Sequence, residues 1–106
     1  MEPKLTPHHV DILLVLAPGP LHGYAIMKAV DALHGQSKKL GAARLYNGLQ
    51  FLSDHQLIEE LMADDPRRRP FRLTYQGHQA ISQVLSEKRQ YLERAQRLLG
   101  GQERLA

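Results

Sequence analysis

The chain has 106 residues, of which 42% are hydrophobic and 24% charged, with a formal net charge of +3. That length makes one domain, and that balance supports a small compact core and argues against disorder. Cysteine is absent, so disulfides and thiolate metal sites are excluded, which fits a reducing cytosol.

The longest apolar run, Ile12 to Ala17, is too short to cross a bilayer and lies too near the start for a signal peptide with a basic leader. A core of this size gains from oligomerisation. The sequence pI near 9.5 is a mild sign of a polyanionic partner.

Met1 to Leu5 reads as a loose arm. Thr6 is placed to cap a first helix, with Pro7 at the first helical position, where no amide donor is required. His8 to Ala17 is apolar nearly all round from Ile12 on, which reads as a buried helix, although periodicity alone also allows a buried strand. Pro18, Gly19 and Pro20 stop it. His22 and Gly23 open a second helix to about Leu33, with Ile26, Val30 and Leu33 as its inner stripe and Met27 beside it. Gly35 suits the terminating position, and the link from Gln36 to Gly41 carries Lys38 and Lys39.

Ala42 to His55 is a third helix. Leu45, Leu49 and Leu52 make its buried stripe; Arg44, Asn47, Gly48 and Phe51 stand on the other side. Leu57 to Met62 and Phe71 to Thr74 read as the strands of a hairpin that turns at Asp64, Asp65 and Pro66. Thr74 is placed to cap a last helix from Tyr75 to about Leu99, ended by Gly100 and Gly101 with a frayed tail beyond. The fold expected is mainly α with a small β-hairpin. Residues 1–74 form a winged helix-turn-helix and 75–106 a dimerisation helix and tail, within one structural domain.

On the third helix, the Arg44 guanidinium can fork onto guanine and the Asn47 amide can pair with adenine, while Lys38 and Lys39 meet phosphates just ahead. By itself this pattern is also that of an amphipathic helix with a solvated face. The hairpin adds Arg67, Arg68 and Arg69 in a row, with Arg72 on the return strand. Adjacent cations repel, so a nearby anion is expected in use; the alternative is a solvated turn balanced by Asp64 and Asp65. In the last helix Ile81, Leu85, Lys88, Leu92, Ala95 and Leu99 alternate by four and three residues, the spacing of a coiled-coil seam, and Val84, Tyr91 and Leu98 widen it. A homodimer through Ile81, Leu85, Leu92, Ala95 and Leu99 is the expectation, with Lys88 as a polar break that sets register; the alternative is packing along its own domain.

The histidines His8, His9, His22, His34, His55 and His78 form no i, i+4 pair and have no acidic or thiol partner at ligand spacing, so no metal is expected. No G-x-S-x-G element, phosphate loop or nucleophile beside a base is present, so neither catalysis nor a cofactor is expected.

Leu21-His22-Gly23-Tyr24 after Pro18-Gly19-Pro20 is followed by Leu45-Tyr46 leading into Leu49 and Leu52. Then come Leu57-Ile58-Glu59, and Arg72-Leu73-Thr74 with Gly77. Together these resemble the PadR family of transcriptional regulators over about residues 5 to 78, in its short form with a single C-terminal helix. The resemblance implies a bacterial or archaeal cytoplasmic homodimer on near-palindromic operators, usually a repressor. It implies dimerisation through the last helix, often packed against the partner's first helix, and in some members release of DNA by small aromatic compounds. The pattern departs in two places. Gly41-Ala42-Ala43-Arg44 stands where the family usually has Ser-Pro-Gly-Thr, and Asn47 where it has Pro, so the hydroxyl cap is missing. Pro70-Phe71 replaces two aromatics, and Pro70, lacking a ladder donor, suits an edge.

The expectation is a DNA-binding regulator, not an enzyme, with Tyr46 as a phosphate or sugar contact or a packing residue. Tyr24, Phe51 and Tyr91 are the surfaces on which a small aromatic ligand could stack. The rival is a winged-helix module that binds protein through its apolar last helix.

Overall fold

The computed structural model describes residues 3–36 and 39–105, with side chains through residue 100. Helix α1 (Pro7–Leu16) starts at a reciprocal cap. Thr6 Oγ1 accepts the His9 amide at 3.4 Å, and His9 Nδ1 accepts the Thr6 amide at 3.0 Å. An imidazole thus fills the role a Glu or Gln usually takes in a capping box, and it can accept only while Nδ1 carries no proton. Ile12, Leu13 and Leu16 are 0%, 0% and 1% exposed, so the all-round apolar run is a buried helix rather than a strand.

Helix α2 (Gly23–Leu33) is capped by His22, whose Nδ1 accepts the Ala25 amide at 3.4 Å. It ends where the sequence places the stop: Gly35 has φ +63°, and the Gln36 amide donates to the Asp31 carbonyl at 2.8 Å. Ile26 and Val30 are buried, but Leu33, expected on the same stripe, is half exposed at the last turn, where the helix leaves the core. Helix α3 (Ala42–Asp54) buries Leu45, Leu49 and Leu52.

Strands β1 (Ile58–Glu60) and β2 (Phe71–Leu73) pair antiparallel, Ile58 opposite Leu73, Glu59 opposite Arg72 and Glu60 opposite Phe71. They are shorter than the sequence pattern suggests, because the chain between them folds into its own 3-10 turn at Pro66–Arg68, capped by the Asp65 carboxylate on the Arg67 amide at 3.0 Å. Pro70 sits at the strand edge as expected, its carbonyl accepting the Leu61 amide at 2.8 Å. Leu21 adds an unforeseen bridge: it exchanges backbone hydrogen bonds with Phe71 at 3.0 and 2.8 Å, tying the α1–α2 connection to the hairpin.

Two further expectations are corrected. Gly48 and Phe51 do not stand on the outer face of α3 with Arg44 and Asn47. Gly48 is buried against α1, where an added Cβ would lie 2.9 Å from Ile12 Cδ1, and Phe51 stacks on His9 with ring centroids 4.2 Å apart and planes 6° apart. Gly100 and Gly101 do not end the last helix, since α4 runs Tyr75–Leu105. A glycine costs a helix only about 1 kcal/mol against alanine, so it stops one only where the backbone turns left-handed, as at Gly35.

The 31 residues of α4 span roughly 46 Å. This explains a radius of gyration of 16.7 Å, against about 13 Å for a compact chain of this length. Its first turns belong to the core, where Ile81 is 3% exposed. Thr74 caps it as expected, accepting the Gly77 amide at 3.0 Å while its hydroxyl donates to the Gln56 carbonyl at 2.6 Å. Gly77 lies directly on the Leu57 carbonyl, leaving no room for a Cβ. That obstacle is backbone and cannot rotate away. Gly77→Ala should therefore destabilise the fold by roughly 1–3 kcal/mol, read as a lower urea midpoint. An unchanged midpoint would show that α4 does not need this seat.

His9 is held below its ordinary value of 6.5, first by burial, then by His8 and His55. His8 is lowered too, by burial and then Arg44, against the opposing pull of Asp11. The unfolded chain therefore takes up protons first as pH falls. The stability from these groups is present above about 6.5 and is lost as pH drops through their lower folded values. The urea midpoint should fall between pH 7.5 and 5.5. It should fall less in His9→Gln, because glutamine keeps a capping acceptor without titrating. Equal drops in the two proteins would contradict this account.

Candidate nucleic-acid interface

The outer face of α3 is built by subtraction. Leu45, Leu49 and Leu52 turn inward, which at 3.6 residues per turn leaves Arg44, Tyr46, Asn47 and Gln50 exposed. Gly41 is the N-cap and supplies no side-chain hydrogen bond, as the missing hydroxyl implies. Lys39 stands exposed just ahead; Lys38 lies outside the described residues. Lys39, Gly41, Ala43, Arg44 and Asn47 line one open depression with His8 of α1, so the structure brings the basic link and the head of α3 together.

Tyr46 leans across to α2. A Cβ on Gly23 would lie 3.3 Å from its hydroxyl and 3.7 Å from its ring, so Gly23 serves close approach here. The ring is still 60% exposed, which makes Tyr46 both a packing residue and an accessible hydroxyl. Tyr24, beside Gly23, is exposed too, with Lys28 Nζ 5.5 Å from its ring centroid.

The wing arginines are not alike. Arg67 is 90% exposed and contacts Asp65 at 3.4 Å. Arg69 pairs with Glu60 at 3.2 Å, and its Nε is buried without a partner among the described residues. Arg72 pairs with Glu59 at 2.6 Å. Arg68 is exposed and has no ion pair among the described residues. Of the two acids in the alternative reading, Asp65 reaches Arg67 and Asp64 makes no ion pair among the described residues, while Glu60 and Glu59 pair with Arg69 and Arg72. Their role follows from register, Glu59 facing Arg72 across the ladder, and a ten-residue connection does not reveal register in advance.

Along α4 the seam residues divide. Ile81 belongs to the chain's own core, so it is not free to meet a partner as expected. Leu85, Leu92 and Leu99 are 42%, 57% and 60% exposed; Ala95 is half-buried. Tyr91 and Leu98 add to the uncovered face.

The model of the transcriptional regulator PadR-like family matches residues 12–83. The chain belongs to that family. PadR-like proteins are DNA-binding transcription regulators, not enzymes. Among curated relatives, an uncharacterised 37.1 kDa protein in a transposon of Streptomyces fradiae is 41% identical over 70 residues. The match takes in 66% of this chain and 19% of that protein, so the chain spans about one fifth of the curated relative it matches. A complex structure of RosR from H. salinarum is 28% identical with TM-score 0.71, covering 80% of this chain and 71% of that one. Bacillus subtilis PadR in complex with operator DNA shares the fold, with 24% identity and TM-score 0.67 over 76% of this chain and 47% of that one. Among the described residues of this PadR-like chain, no helix is long and apolar enough to cross a membrane.

Proposed function

We propose that this PadR-like chain is a sequence-specific repressor, working in the cytoplasm as a homodimer on a near-palindromic operator. The observation that carries the reading is the joint exposure of Arg44 and Asn47 on α3, beside Lys39 and in one small domain with the basic wing. Arg44 and Asn47 read base edges in the major groove. Lys38, Lys39, Tyr46, Arg67 and Arg68 hold the phosphates, and Arg69 takes a smaller share because Glu60 already engages it. The dimer forms along α4 from Leu85 onward through Leu92, Ala95 and Leu99, a row of apolar side chains that the monomer leaves largely uncovered. A small aromatic effector belongs to the same reading. Phe51 is occupied by His9, so Tyr24 and Tyr91 are the available stacking faces.

Selection of bound duplexes from a random pool should return a near-palindrome. On that site Arg44→Ala should cost about 1–3 kcal/mol and relax one base pair per half-site. Arg44→Lys keeps the charge and loses the planar fork, so it should lower the ratio of selected to scrambled binding; an unchanged ratio would make Arg44 a phosphate contact.

Replacing Arg67, Arg68 and Arg69 together by alanine should weaken all duplexes alike and flatten the salt slope by roughly one unit per lost contact. A module that binds protein through α4 would show weak, unselective retention on DNA and no such change.

Sedimentation at micromolar concentration should give twice the 12.0 kDa chain mass. A clean monomer there would remove the dimer and the palindrome together.

A further inference from the structure

We propose that Asp31 is the positioning residue of the recognition helix, its carboxylate fixing where α3 begins and hence where Arg44 and Asn47 stand. The inference rests on the DNA-reading role given to those two residues above.

α3 lacks the device that usually sets a helix start, because its N-cap is Gly41 and offers no side-chain acceptor. A substitute comes from the preceding helix. Asp31 Oδ1 accepts the Leu40 amide, one residue before the cap, at 3.1 Å. The backbone carbonyl of the same residue accepts the Gln36 amide at 2.8 Å. One residue in the last turn of α2 therefore closes the turn from both sides, with its main chain on the way out and its side chain on the way back.

The Leu40 side chain is 6% exposed, so this point is pinned twice, by a core contact and by a hydrogen bond. The platform beneath is fixed as well. Asp11 Oδ2 lies 2.7 Å from His34 Nε2, which ties α1 to the C-cap of α2. α3 begins two residues after Leu40 and Arg44 is its third residue, so a shift at Leu40 moves the start of the turn that carries the guanidinium. Bidentate base contacts tolerate little misplacement, whereas phosphate contacts tolerate more. Loss of the Asp31 bond should therefore damage selectivity before it damages general affinity.

The test compares Asp31→Ala with Asp31→Asn. Both remove the same negative charge, so their general attraction to DNA changes alike; only asparagine keeps a side-chain oxygen that can accept the Leu40 amide. Each is titrated with the selected duplex and with a scrambled one of equal length. Asp31→Ala should lower the selected-to-scrambled ratio about five- to tenfold, the size of one ordinary hydrogen bond, and Asp31→Asn should stay within about twofold of wild type. Equal ratios in Asp31→Ala and wild type would overturn the proposal. So would an asparagine variant as poor as alanine, because charge rather than the bond would then be acting.

Hydrogen exchange without DNA separates this failure from that of the reading beneath it. In Asp31→Ala the amides of Leu40 and the first turn of α3 should exchange at least about tenfold faster, with α1 unchanged. If wild type selects no duplex, the DNA reading fails, and the exchange result alone decides whether Asp31 sets the helix start. Unchanged exchange at Leu40 would refute it.

Discussion

Burial of α1 organises the whole domain. The helix touches α2, α3, α4 and β2, and Ile12, Leu13 and Leu16 are shut off from water on all sides. At roughly 1.5–3 kcal/mol per fully buried aliphatic side chain, these three residues are a large part of what holds a small domain together. Helix α3 can lie against α1 only because Gly48 has no side chain at the crossing and because Phe51 finds a flat partner in His9. His9 is in turn the cap of α1, so one imidazole starts the central helix and seats the helix proposed to read DNA. In this PadR-like chain a buried helix thus carries α3, the hairpin and the start of α4 around it.

The charges on the wing follow a second logic. Arg67, Arg69 and Arg72 each have a carboxylate within reach, at Asp65, Glu60 and Glu59. Exposed pairs of this kind contribute at most about 1 kcal/mol, so they order the side chains without locking them. A polyanion approaching the hairpin would meet arginines that are only weakly held. Arg68, at the end of the 3-10 turn, has no ion pair to give up among the described residues. The net charge of +3 understates this, because acids and bases are arranged in pairs rather than spread evenly.

Much of the fold was legible because the sequence is locally consistent. Thr6 with Pro7, His22 with Gly23, Gly35 and Thr74 each carry their own boundary chemistry, and each acts where the spacing puts it. What was hidden depended on tertiary neighbours. Gly48 and Phe51 border the buried stripe of α3, and only the approach of α1 decides that they face inward. Ile81 fits a coiled-coil seam by spacing, yet it lies in the chain's own core, because the seam begins within the domain and leaves it only near Leu85. Gly100 carries no left-handed backbone, so a composition that often ends a helix does not end this one. At the candidate site, the exposure of Arg44 and Asn47 follows from helical periodicity. The Asp31–Leu40 bond joins residues nine apart across a turn and has no sequence signature.

In the proposed dimer two copies of the chain present their α3 helices to successive major grooves on one side of a duplex, which hydroxyl-radical footprinting on a selected operator can test. Two protected patches related by the palindrome are expected, one helical turn or a multiple of about 10–10.5 base pairs apart, with flanking protection from the wings. A single patch, or protection spread evenly along the duplex, would contradict that arrangement.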